Sequence, residues 1–483
     1  MSFQSYLFVF VFLPLTVTLW WGLNHKGYGR GAQGVLLTAS LVFYGWTRWE
    51  LLVVLVGSIL FHYGVGNWLC RAQRRRKAIL VLGVVGSLLP LVYFKYTNFF
   101  LDNLNLLFGS SLHIQKILVP LGLSFFTFQQ LAFLMDCWRG TKQDYSLLEY
   151  ACFVSFFPCV VSGPIAFHDE VIPQFRQAAG RRVTAAEISQ GIWLFTLGLW
   201  KKVILAQTFG KGADWGFASI PELNSGTALL VVLSYTFQLY FDFSGYTDMA
   251  RGIGRLLGID LPDNFKAPYQ ALTIGSFWKR WHMTMTRFFT RYLYLPLGGS
   301  RRGTLVTCRN IMIVFLVSGL WHGANWTFAL WGGLHGCAMV FDRVWGKRVE
   351  KLHPVLTWAV TFAFVCFCWI FFRASSIGEG IALCKSIAAC QFSGILPAFT
   401  DCFHLPAEAW LGRYLGLDLT RLALLMTMVF FLGAFLLIFL EGGEEKKETQ
   451  VVFGARLGLL LGVLFFWALI SFTGVTQFLY SEF

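Results

Sequence analysis

The chain has 483 residues, of which 56% are hydrophobic and only 13% carry a charge. Because a soluble domain carries about 25% charged residues, this composition excludes an ordinary soluble protein and indicates a membrane protein. Lys and Arg number 39 against 25 Asp and Glu, a net charge of +14. In a membrane protein such an excess is typical of cytoplasmic loops, and it does not indicate nucleic-acid binding.

Apolar runs long enough to cross a bilayer recur along the chain, so we predict an all-α polytopic membrane protein. The predicted segments lie near residues 5–23, 32–46, 50–69, 78–97, 117–136, 149–167, 190–208, 226–247, 310–331, 335–345, 356–373, 422–440 and 455–475. Several are short or contain polar residues and are expected to be re-entrant or tilted. We therefore expect about eleven true crossings.

The early connections predict the orientation. Residues 24–30 and 71–77 are basic, whereas the connection 47–50 between them has no net charge. The positive-inside rule then places the basic connections in the cytoplasm and the N-terminus on the periplasmic side. Residues 1–21 have no basic start and no cleavage site, so the first segment is expected to stay as a membrane helix.

Two acidic residues lie within the apolar run that begins at residue 228. Gln238 and Asp242 are four residues apart and would share one face of a helix. A buried carboxylate must be paired, hydrogen-bonded or protonated. We expect Asp242 and Asp248 to pair with a basic residue such as Arg251 or Arg280, and to serve mainly the architecture.

The segment 276–289 combines aromatic and basic residues. At helical spacing one apolar stripe is formed by Phe277, Trp278, Trp281, Met285 and Phe288, and the cations Lys279, Arg280, Arg287 and Arg291 lie on other faces. This pattern predicts a helix in the membrane interface, although a plain surface anchor would not explain His282. The turn 297–303, with Arg301 and Arg302, could bind phosphates through guanidinium groups or act simply as a cytoplasmic anchor.

One histidine lies inside an apolar run that extends from residue 311 to 331. An ionisable group at membrane depth is costly, so His322 is a functional hypothesis, and the alternative is a hydrogen bond that joins two helices. His282 precedes it by 40 residues, and two imidazoles in a dry cavity suit proton abstraction from a hydroxyl. Asn325 would share the face of His322 and could orient the ring or stabilise an oxyanion. His335 would be rotated by about 220° on a continuous helix and is ranked lower.

Other reaction classes lack support in the sequence. The 11 Cys residues form no C-x-x-C pair, so we predict neither a disulfide framework nor a metal site. Gly-x-Ser-x-Gly, Walker and His-Glu-x-x-His metal patterns are also missing. Hydrolase, ATPase and metalloprotease functions are therefore not supported.

Seven motifs together resemble the membrane-bound O-acyltransferase family, most closely its bacterial alginate O-acetyltransferase branch. They are 94–99 (FKYTNF), 118–128 (LVPLGLSFFTF), 162–165 (SGPI), 239–246 (LYFDFSGY), 264–269 (NFKAPY), 277–282 (FWKRWH) and 319–325 (GLWHGAN). The resemblance covers roughly residues 1–375, and the remainder matches only in being hydrophobic.

The resemblance implies a single acyltransferase domain over residues 1–483 whose helices surround a central funnel or tunnel. Within it, residues 1–97 would form N-terminal helices, 98–375 the catalytic core and 376–483 C-terminal helices. The residue that matches His322 is the essential catalytic residue of the family, and the position of His282 also lines the site. In the bacterial branch, acetyl from cytosolic acetyl-CoA crosses the inner membrane, and a periplasmic SGNH-type acetyltransferase often completes transfer to a polysaccharide. This chain has no Gly-Asp-Ser motif, so that partner would be a separate protein.

We therefore expect an inner-membrane O-acetyltransferase that binds no permanent cofactor and no metal. His322 would act as a general base or as a transient acetyl carrier, helped by His282 and Asn325, while Trp321 excludes water and Asp242 and Gln238 support the site. Phosphates of the donor would be attracted by Lys279, Arg280, Arg287, Arg301 and Arg302. The alternatives are D-alanyl transfer from a carrier protein to a cell-wall polymer, and a transporter or scaffold embedded in membrane lipids. The acceptor remains open among alginate, peptidoglycan and other exported glycans.

Overall fold

The computed structural model describes residues 1–112, 117–141, 144–349, 352–404, 414–416, 418–441 and 454–472. Over these residues the chain is helical and contains no strand, so the all-α prediction is confirmed. Helices α1 to α10 are Leu13–His25, Gly29–Gly45, Leu52–Arg71, Arg76–Leu91, Thr97–Phe108, Leu123–Arg139, Leu147–Ser155, His168–Gln177, Ala185–Trp200 and Gln207–Ala218. Helices α11 to α20 are Ser225–Leu256, Ile274–Trp278, Met283–Phe289, Thr304–His322, Trp326–Val349, Pro354–Arg373, Ile377–Ala388, Pro397–Thr400, Leu419–Leu440 and Ala455–Ile470.

Short segments of other helical types adjoin these helices. The π-helical segments are Phe8–Phe12, Val92–Tyr96, Lys201–Ala206 and Thr290–Tyr294. The 3-10 turns are Trp49–Leu51, Ile220–Glu222, Pro268–Gln270 and Asp401–Phe403. Insertions of π geometry in α-helices are frequent at functional sites, and two of these segments carry lysines that are important below.

Seven helical stretches of the described chain are long and apolar enough to cross a membrane, so the protein is a polytopic membrane protein. They are Phe8–His25, Trp49–Arg71, Arg76–Phe108, Ser225–Leu256, Thr304–His322, Pro354–Arg373 and Leu419–Leu440. A shorter apolar helix is Arg456–Ile470. The expected number of about eleven crossings stays a prediction, because segments such as 32–46 and 190–208 form helices too short for this criterion.

The longest helix, α11, packs against α9 through two pairs of glycines. A Cβ on Gly198 would lie 2.4 Å from the carbonyl oxygen of Gly245, and a Cβ on Gly252 would lie 2.7 Å from that of Gly191. Backbones that approach so closely are typical of helix pairs in membranes, where small residues allow van der Waals contact. These glycines fix α11 as the central element against which the histidine-bearing segments pack.

The expected single segment 310–331 is instead two helices that meet in a hairpin. Helix α14 ends at His322 and α15 begins four residues later, with Gly323 between them in extended conformation (φ −163°, ψ 152°). A Cβ on Gly323 would lie 2.0 Å from the ring of Phe328. This close contact lets the chain reverse, so His322 is the last residue of its helix.

The segment 276–289 is not an interfacial helix. It forms α12, a turn and α13, and its predicted apolar stripe is at most 5% exposed. Trp278 packs against Trp331 (ring centroids 5.8 Å apart) and Trp281 against Trp369 (5.1 Å). The stripe faces other helices because α15 and α16 offer it large aromatic partners, which bury more apolar area than a bilayer surface would.

Asp242 and Asp248 pair with basic residues, as expected, but these are lysines and not the arginines that were named as examples. Asp242 pairs with Lys202, and Asp248 with Lys201 at 3.1 Å. Arg251 pairs with Asp263 at 2.7 Å. The two lysines pair with these aspartates because the π-helical segment that carries them lies directly against α11. Their long aliphatic stems reach into the bundle.

Glu441 follows α19 and begins the charged connection 441–448; it is exposed, yet its carboxylate has two side-chain partners. Glu441 accepts from Lys201 at 2.9 Å and from the hydroxyl of Tyr240. This carboxylate therefore ties the end of α19 to the π-helical segment after α9 and to α11. Residues 442–448 lie outside the described residues.

The positively charged connections meet at one end of the bundle, called the basic end below. It comprises residues 24–30, 71–77, 137–139, 176–182 and 256–260. The amide of Gly180 donates to the carbonyl of Asn24 (3.0 Å), and the guanidinium of Arg76 donates to the carbonyl of Trp138 (2.7 Å). At the other end, Trp326 donates to the side chain of Asn103 (2.9 Å).

Candidate active site

His322 lies where α14 ends, at the opposite end of that helix from the arginine-rich turn 297–303. The 19 residues of α14 span about 28 Å. The last carbonyls of a helix have no partner within it, and here Lys95 supplies one, donating to Trp321 (2.6 Å) and to His322 (2.9 Å). The hydroxyl of Tyr96 donates to the carbonyl of Leu320. The π-helical segment Val92–Tyr96 therefore supplies donors to the last carbonyls of α14, with Lys95 serving His322 and Tyr96 serving Leu320.

The imidazole of His322 is enclosed by aromatic rings. It lies 4.8 Å from the ring of Trp321, 5.1 Å from Trp331 and 5.2 Å from Phe372, measured between centroids. His322 is 4% exposed. Such a cage limits access of water to the imidazole, which matters for any reactive ester or thioester because water would hydrolyse it.

His322 nevertheless lines a pocket of about 470 Å³, including its open mouth. The other walls are Lys95, Val161, Trp321 and residues 119–125, where α6 begins. The turn before α6 needs a glycine, because Gly122 has φ +69° and a Cβ there would lie 1.9 Å from a backbone oxygen. The pocket lies at the end of α14 away from the basic end, whereas the sequence predicted a funnel that faces the cytoplasm.

His282 occupies a turn between α12 and α13 and is fully buried. Its backbone is left-handed (φ 45°, ψ 52°), a conformation that non-glycine residues adopt mainly where the surroundings impose it. The side-chain oxygen of Asn264 imposes it here, by accepting from the Thr284 amide (3.3 Å) and hydroxyl (2.9 Å). The segment 263–269 thus clamps the histidine turn.

The same oxygen fixes the protonation of the His282 ring. It lies 3.0 Å from Nδ1 of His282, and because it can only accept, Nδ1 carries the proton. Nε2 of the neutral ring then holds the lone pair that a base or acceptor needs. Burial lowers the pKa of His282 to about 3, so the ring stays neutral at physiological pH.

The structure brings His282 and His322 to one aromatic ring, that of Trp321. The centroid of His282 lies 6.2 Å from it and the centroid of His322 lies 4.8 Å from it. His335 lies behind another ring, since Trp331 is 5.1 Å from His322 and 4.9 Å from His335. His335 was ranked below His282 because the sequence analysis assumed one continuous helix from His322 to His335. In the structure the Trp331 ring separates His335 from His322.

Asn325 does not share a helical face with His322, because the helix ends before it. Its side chain accepts from the Thr327 amide (3.1 Å) at the start of α15 and donates to the carbonyl of Ser375 (2.8 Å). Asn325 therefore caps α15 and ties the hairpin to the end of α16. The predicted helical face shared with His322 is therefore wrong, and a role for Asn325 beside the imidazole stays a prediction.

Gln238 and Asp242 face the α10 side of α11. A Cβ on Gly210 of α10 would lie 2.7 Å from the amide nitrogen of Gln238. Asp242 lies beside Lys202. Neither residue lines the pocket of His322, so their structural contribution is to hold α10 and the π-helical segment against α11.

The five predicted phosphate-binding cations differ in their environments. Arg287 pairs with Glu170 and its guanidinium carbon lies 4.3 Å from the centroid of the Phe167 ring, so its charge is already neutralised. Arg280 is half-buried, whereas Lys279, Arg301 and Arg302 are exposed. The exposed cations therefore remain available to an anionic ligand, and Arg287 does not.

A second cavity, of about 700 Å³ with its mouth, lies along α14 before His322. Its walls are mostly apolar and are formed by α13, the segment Thr290–Tyr294, α14 and α15. It extends from Tyr294 to Ser318, which precedes His322 by one helical turn on the same face of α14. This second cavity therefore reaches to within one helical turn of His322, which lines the first.

Lys95, Asn264, Lys202 and Glu441 were given no role by sequence reasoning. The sequence could have indicated two of them. Lys95 is a cation within an apolar run, which is unusual in a membrane helix, and Asn264 is a polar residue in a loop before a proline. Glu441 had no such signal. Among the described residues, no group of three or more His, Cys, Asp or Glu could hold a metal ion.

Comparison with known proteins gives a consistent result. Residues 78–378 match the family described as MBOAT, membrane-bound O-acyltransferase family. The chain is 39% identical to a peptidoglycan O-acetyltransferase of Helicobacter pylori, over 80% of this chain and 79% of that protein. It is 38% identical to a probable alginate O-acetylase AlgI of Pseudomonas aeruginosa, over 78% and 73%. A teichoic acid D-alanyltransferase of Bacillus subtilis is 25% identical, over 76% and 95%.

Proposed function

The chain belongs to the membrane-bound O-acyltransferase family and is an O-acyltransferase, and from this premise we propose that it O-acetylates an exported or cell-wall polysaccharide. The resemblance seen in the sequence motifs is confirmed. The proposed reaction takes acetyl from a cytosolic thioester, acetyl-CoA, and delivers it at the other side of the inner membrane. A separate periplasmic SGNH-type acetyltransferase would complete transfer to the glycan.

Acetyl is favoured over D-alanyl as the transferred group by the relatives. Those whose names denote O-acetylation are 36–39% identical to this chain. The D-alanyltransferases are 25–27% identical. Peptidoglycan and alginate are the polymers in the names of the more similar group, and we place the final acceptor of the acetyl group in the same chemical class, a glycan hydroxyl.

The observation that carries the proposal is the position of His322, buried in an aromatic cage and yet lining a pocket. In the proposed step, His322 takes the proton of the acceptor hydroxyl as its oxygen attacks the thioester carbonyl. The new C–O bond forms, the C–S bond breaks, and the proton passes to the leaving thiolate. General-base catalysis of this kind contributes about 10²–10⁴-fold to the rate.

His282 supports this step as a neutral ring with a fixed tautomer. Its Nδ1–H bond to Asn264 leaves Nε2 able to accept from the acceptor hydroxyl or from a bridging water. His322 lines the pocket, whereas His282 is not among its walls. We therefore assign proton abstraction to His322 and orientation of the hydroxyl to His282.

The two cavities support transfer across the bilayer. The apolar cavity from Tyr294 to Ser318 starts near the arginine-rich turn 297–303, and it is the proposed path of the donor's thioester arm. Exposed Lys279, Arg301 and Arg302 are available for the donor's phosphates. The pocket lined by Lys95 and His322 would receive the acceptor from the opposite, periplasmic side.

The experiment is acetyl transfer from labelled acetyl-CoA by the purified protein in proteoliposomes. We expect His322→Ala to lower the rate by about 10²–10⁴-fold, with unchanged amounts of folded protein. His25→Ala, an exposed histidine of the basic end, is the matched control and should keep the wild-type rate. Wild-type turnover by His322→Ala would contradict the proposal, and labelling only by a D-alanyl carrier protein would favour the alternative transferase. Label that stays on the wild-type protein without acceptor would show that His322 carries the acetyl group.

A further inference from the structure

Lys95 is a cation inside an apolar helical stretch, Arg76–Phe108, that is long enough to cross the membrane. An ammonium at such depth needs strong partners. Its partners are the carbonyl oxygens of Trp321 and His322, at 2.6 and 2.9 Å. Among the described residues no carboxylate lies within ion-pair distance of Lys95. A helix end supplies only about half a negative charge, so these partners do not neutralise Lys95 in its protonated form.

That charge faces the pocket that His322 lines. None of the described residues in the pocket wall is acidic. The first residues of α6, Leu123 to Phe125, form another part of the wall, and the N-terminus of this 17-residue helix carries a partial positive charge of its own. Two independent features, a side-chain cation and a helix N-terminus, therefore give the pocket a positive potential.

The need to cap the last carbonyls of α14 does not by itself explain why residue 95 is a lysine. The hydroxyl of Tyr96 already serves the neighbouring carbonyl of Leu320, and a neutral donor would serve the next carbonyls equally well at lower desolvation cost. An ammonium has three N–H groups, two of which are used by the carbonyls. The third is available to a ligand in the pocket.

We propose that Lys95 is a catalytic residue that binds the acyl oxygen and stabilises the oxyanion formed during acyl transfer at His322. This rests on the proposed function. As the acceptor oxygen adds to the thioester carbonyl, the carbonyl electron pair moves to its oxygen, and the free N–H of Lys95 donates to it. When the C–S bond breaks, that pair re-forms the carbonyl and the thiolate leaves with the proton held by His322. Lys95 itself is neither protonated nor deprotonated.

The test compares Lys95→Met with Tyr96→Phe, its matched control. Both variants remove one donor from the end of α14, but only the first removes a charge from the pocket. We expect Lys95→Met to lower kcat by about 10²–10³-fold, as removal of an oxyanion donor does, with KM for acetyl-CoA changed by no more than about threefold. Tyr96→Phe should keep kcat within about threefold of wild type. Equal kcat values for the two variants would overturn the proposal, because capping would then explain Lys95.

Two further variants keep the outcome decisive. If Lys95→Met does not fold, as judged by its melting temperature in detergent, Lys95→Gln replaces it, since an amide can still donate to both carbonyls. Its kcat should remain at least about tenfold below that of Tyr96→Phe, and equality would overturn the proposal. His322→Ala is measured in parallel. An active His322→Ala contradicts the proposed function itself, whereas an inactive His322→Ala with a fully active Lys95→Gln contradicts only the role of Lys95.

Discussion

At the scale of single residues, the site depends on polar atoms that hold the two imidazoles. Lys95 holds the backbone of His322, and Asn264 holds the ring of His282. In each case one polar group selects one geometry, because a buried ring or carbonyl with an unmet hydrogen bond is costly. The chemistry of the histidines is thus set by residues that are themselves not bases.

Asn264→Ala should lower the acetyl-transfer rate by about 10-fold to 100-fold, because the Nδ1 proton of His282 loses its acceptor and Nε2 is no longer kept free. Asn264→Asp keeps an oxygen in the same place and should retain more activity than Asn264→Ala. Initial rates in proteoliposomes, with melting temperatures in detergent, measure both effects. Equal losses of rate in the two variants would contradict the role assigned to the Asn264 oxygen.

At the scale of helices, close backbone contacts decide where the site residues lie. The glycine contacts of α9 with α11 place the segment that carries Lys201 and Lys202 against Asp248 and Asp242. The reversal at Gly323 ends α14 at His322 and lets α15 return beside it. An unbroken helix through residues 310–331 would have carried the imidazole into a regular turn, without free carbonyls for Lys95.

Gly198→Ala should destabilise the protein by about 1–3 kcal/mol, because its methyl group would meet backbone atoms of α11 that cannot move aside as a side chain can. A Cβ there would lie 2.4 Å from the Gly245 oxygen and 2.7 Å from the Met249 amide nitrogen. Gly57→Ala is the control, since a Cβ at Gly57 of α3 meets nothing within 4 Å. We expect a lower melting temperature and yield for Gly198→Ala only. Equal melting temperatures of Gly198→Ala and Gly57→Ala would show that α9 and α11 can move apart without loss of stability.

At the scale of the whole molecule, charge is distributed unevenly between the two ends of the bundle. The basic connections, which are far apart in sequence, are joined at one end by hydrogen bonds such as those of Gly180 and Arg76. His322 lies at the other end of α14 from the arginine-rich turn. This separation agrees with the proposed direction of transfer, from a cytosolic donor to an acceptor outside.

The orientation can be tested with native cysteines. Cys70 is exposed near the basic end, and Cys390 is exposed after α17, beside Gln391, which is hydrogen-bonded to Ser225 at the start of α11. A membrane-impermeant maleimide applied to right-side-out vesicles should label Cys390 and leave Cys70 unlabelled, and inverted vesicles should give the reverse. Cys70→Ser and Cys390→Ser variants identify the labelled site. Labelling of Cys70 from outside would invert the proposed topology.

Composition and local motifs were enough to predict an all-helical membrane protein and its family, and they selected two histidines whose rings both lie near Trp321. These features depend on contiguous residues. The hydrophobicity of a membrane segment is the sum over its own residues, and the motifs around His282 and His322 are each a single short stretch of sequence. The same reasoning failed where it assumed regular helices. It placed Asn325 on the face of His322 and read the segment 276–289 as an interfacial helix, because neither the turn at Gly323 nor the aromatic partners on α15 and α16 are visible locally.

The sequence by itself determined that an imidazole would lie at membrane depth, because no soluble environment is available to that run of residues. Only the tertiary structure decided what surrounds it. Lys95 and His322 are 227 residues apart, Asp242 and Lys202 are 40 apart, and Tyr240 and Glu441 are 201 apart. Such pairs form when helix packing brings distant side chains together, and their energies depend on the burial that packing creates, so no local pattern of residues specifies them.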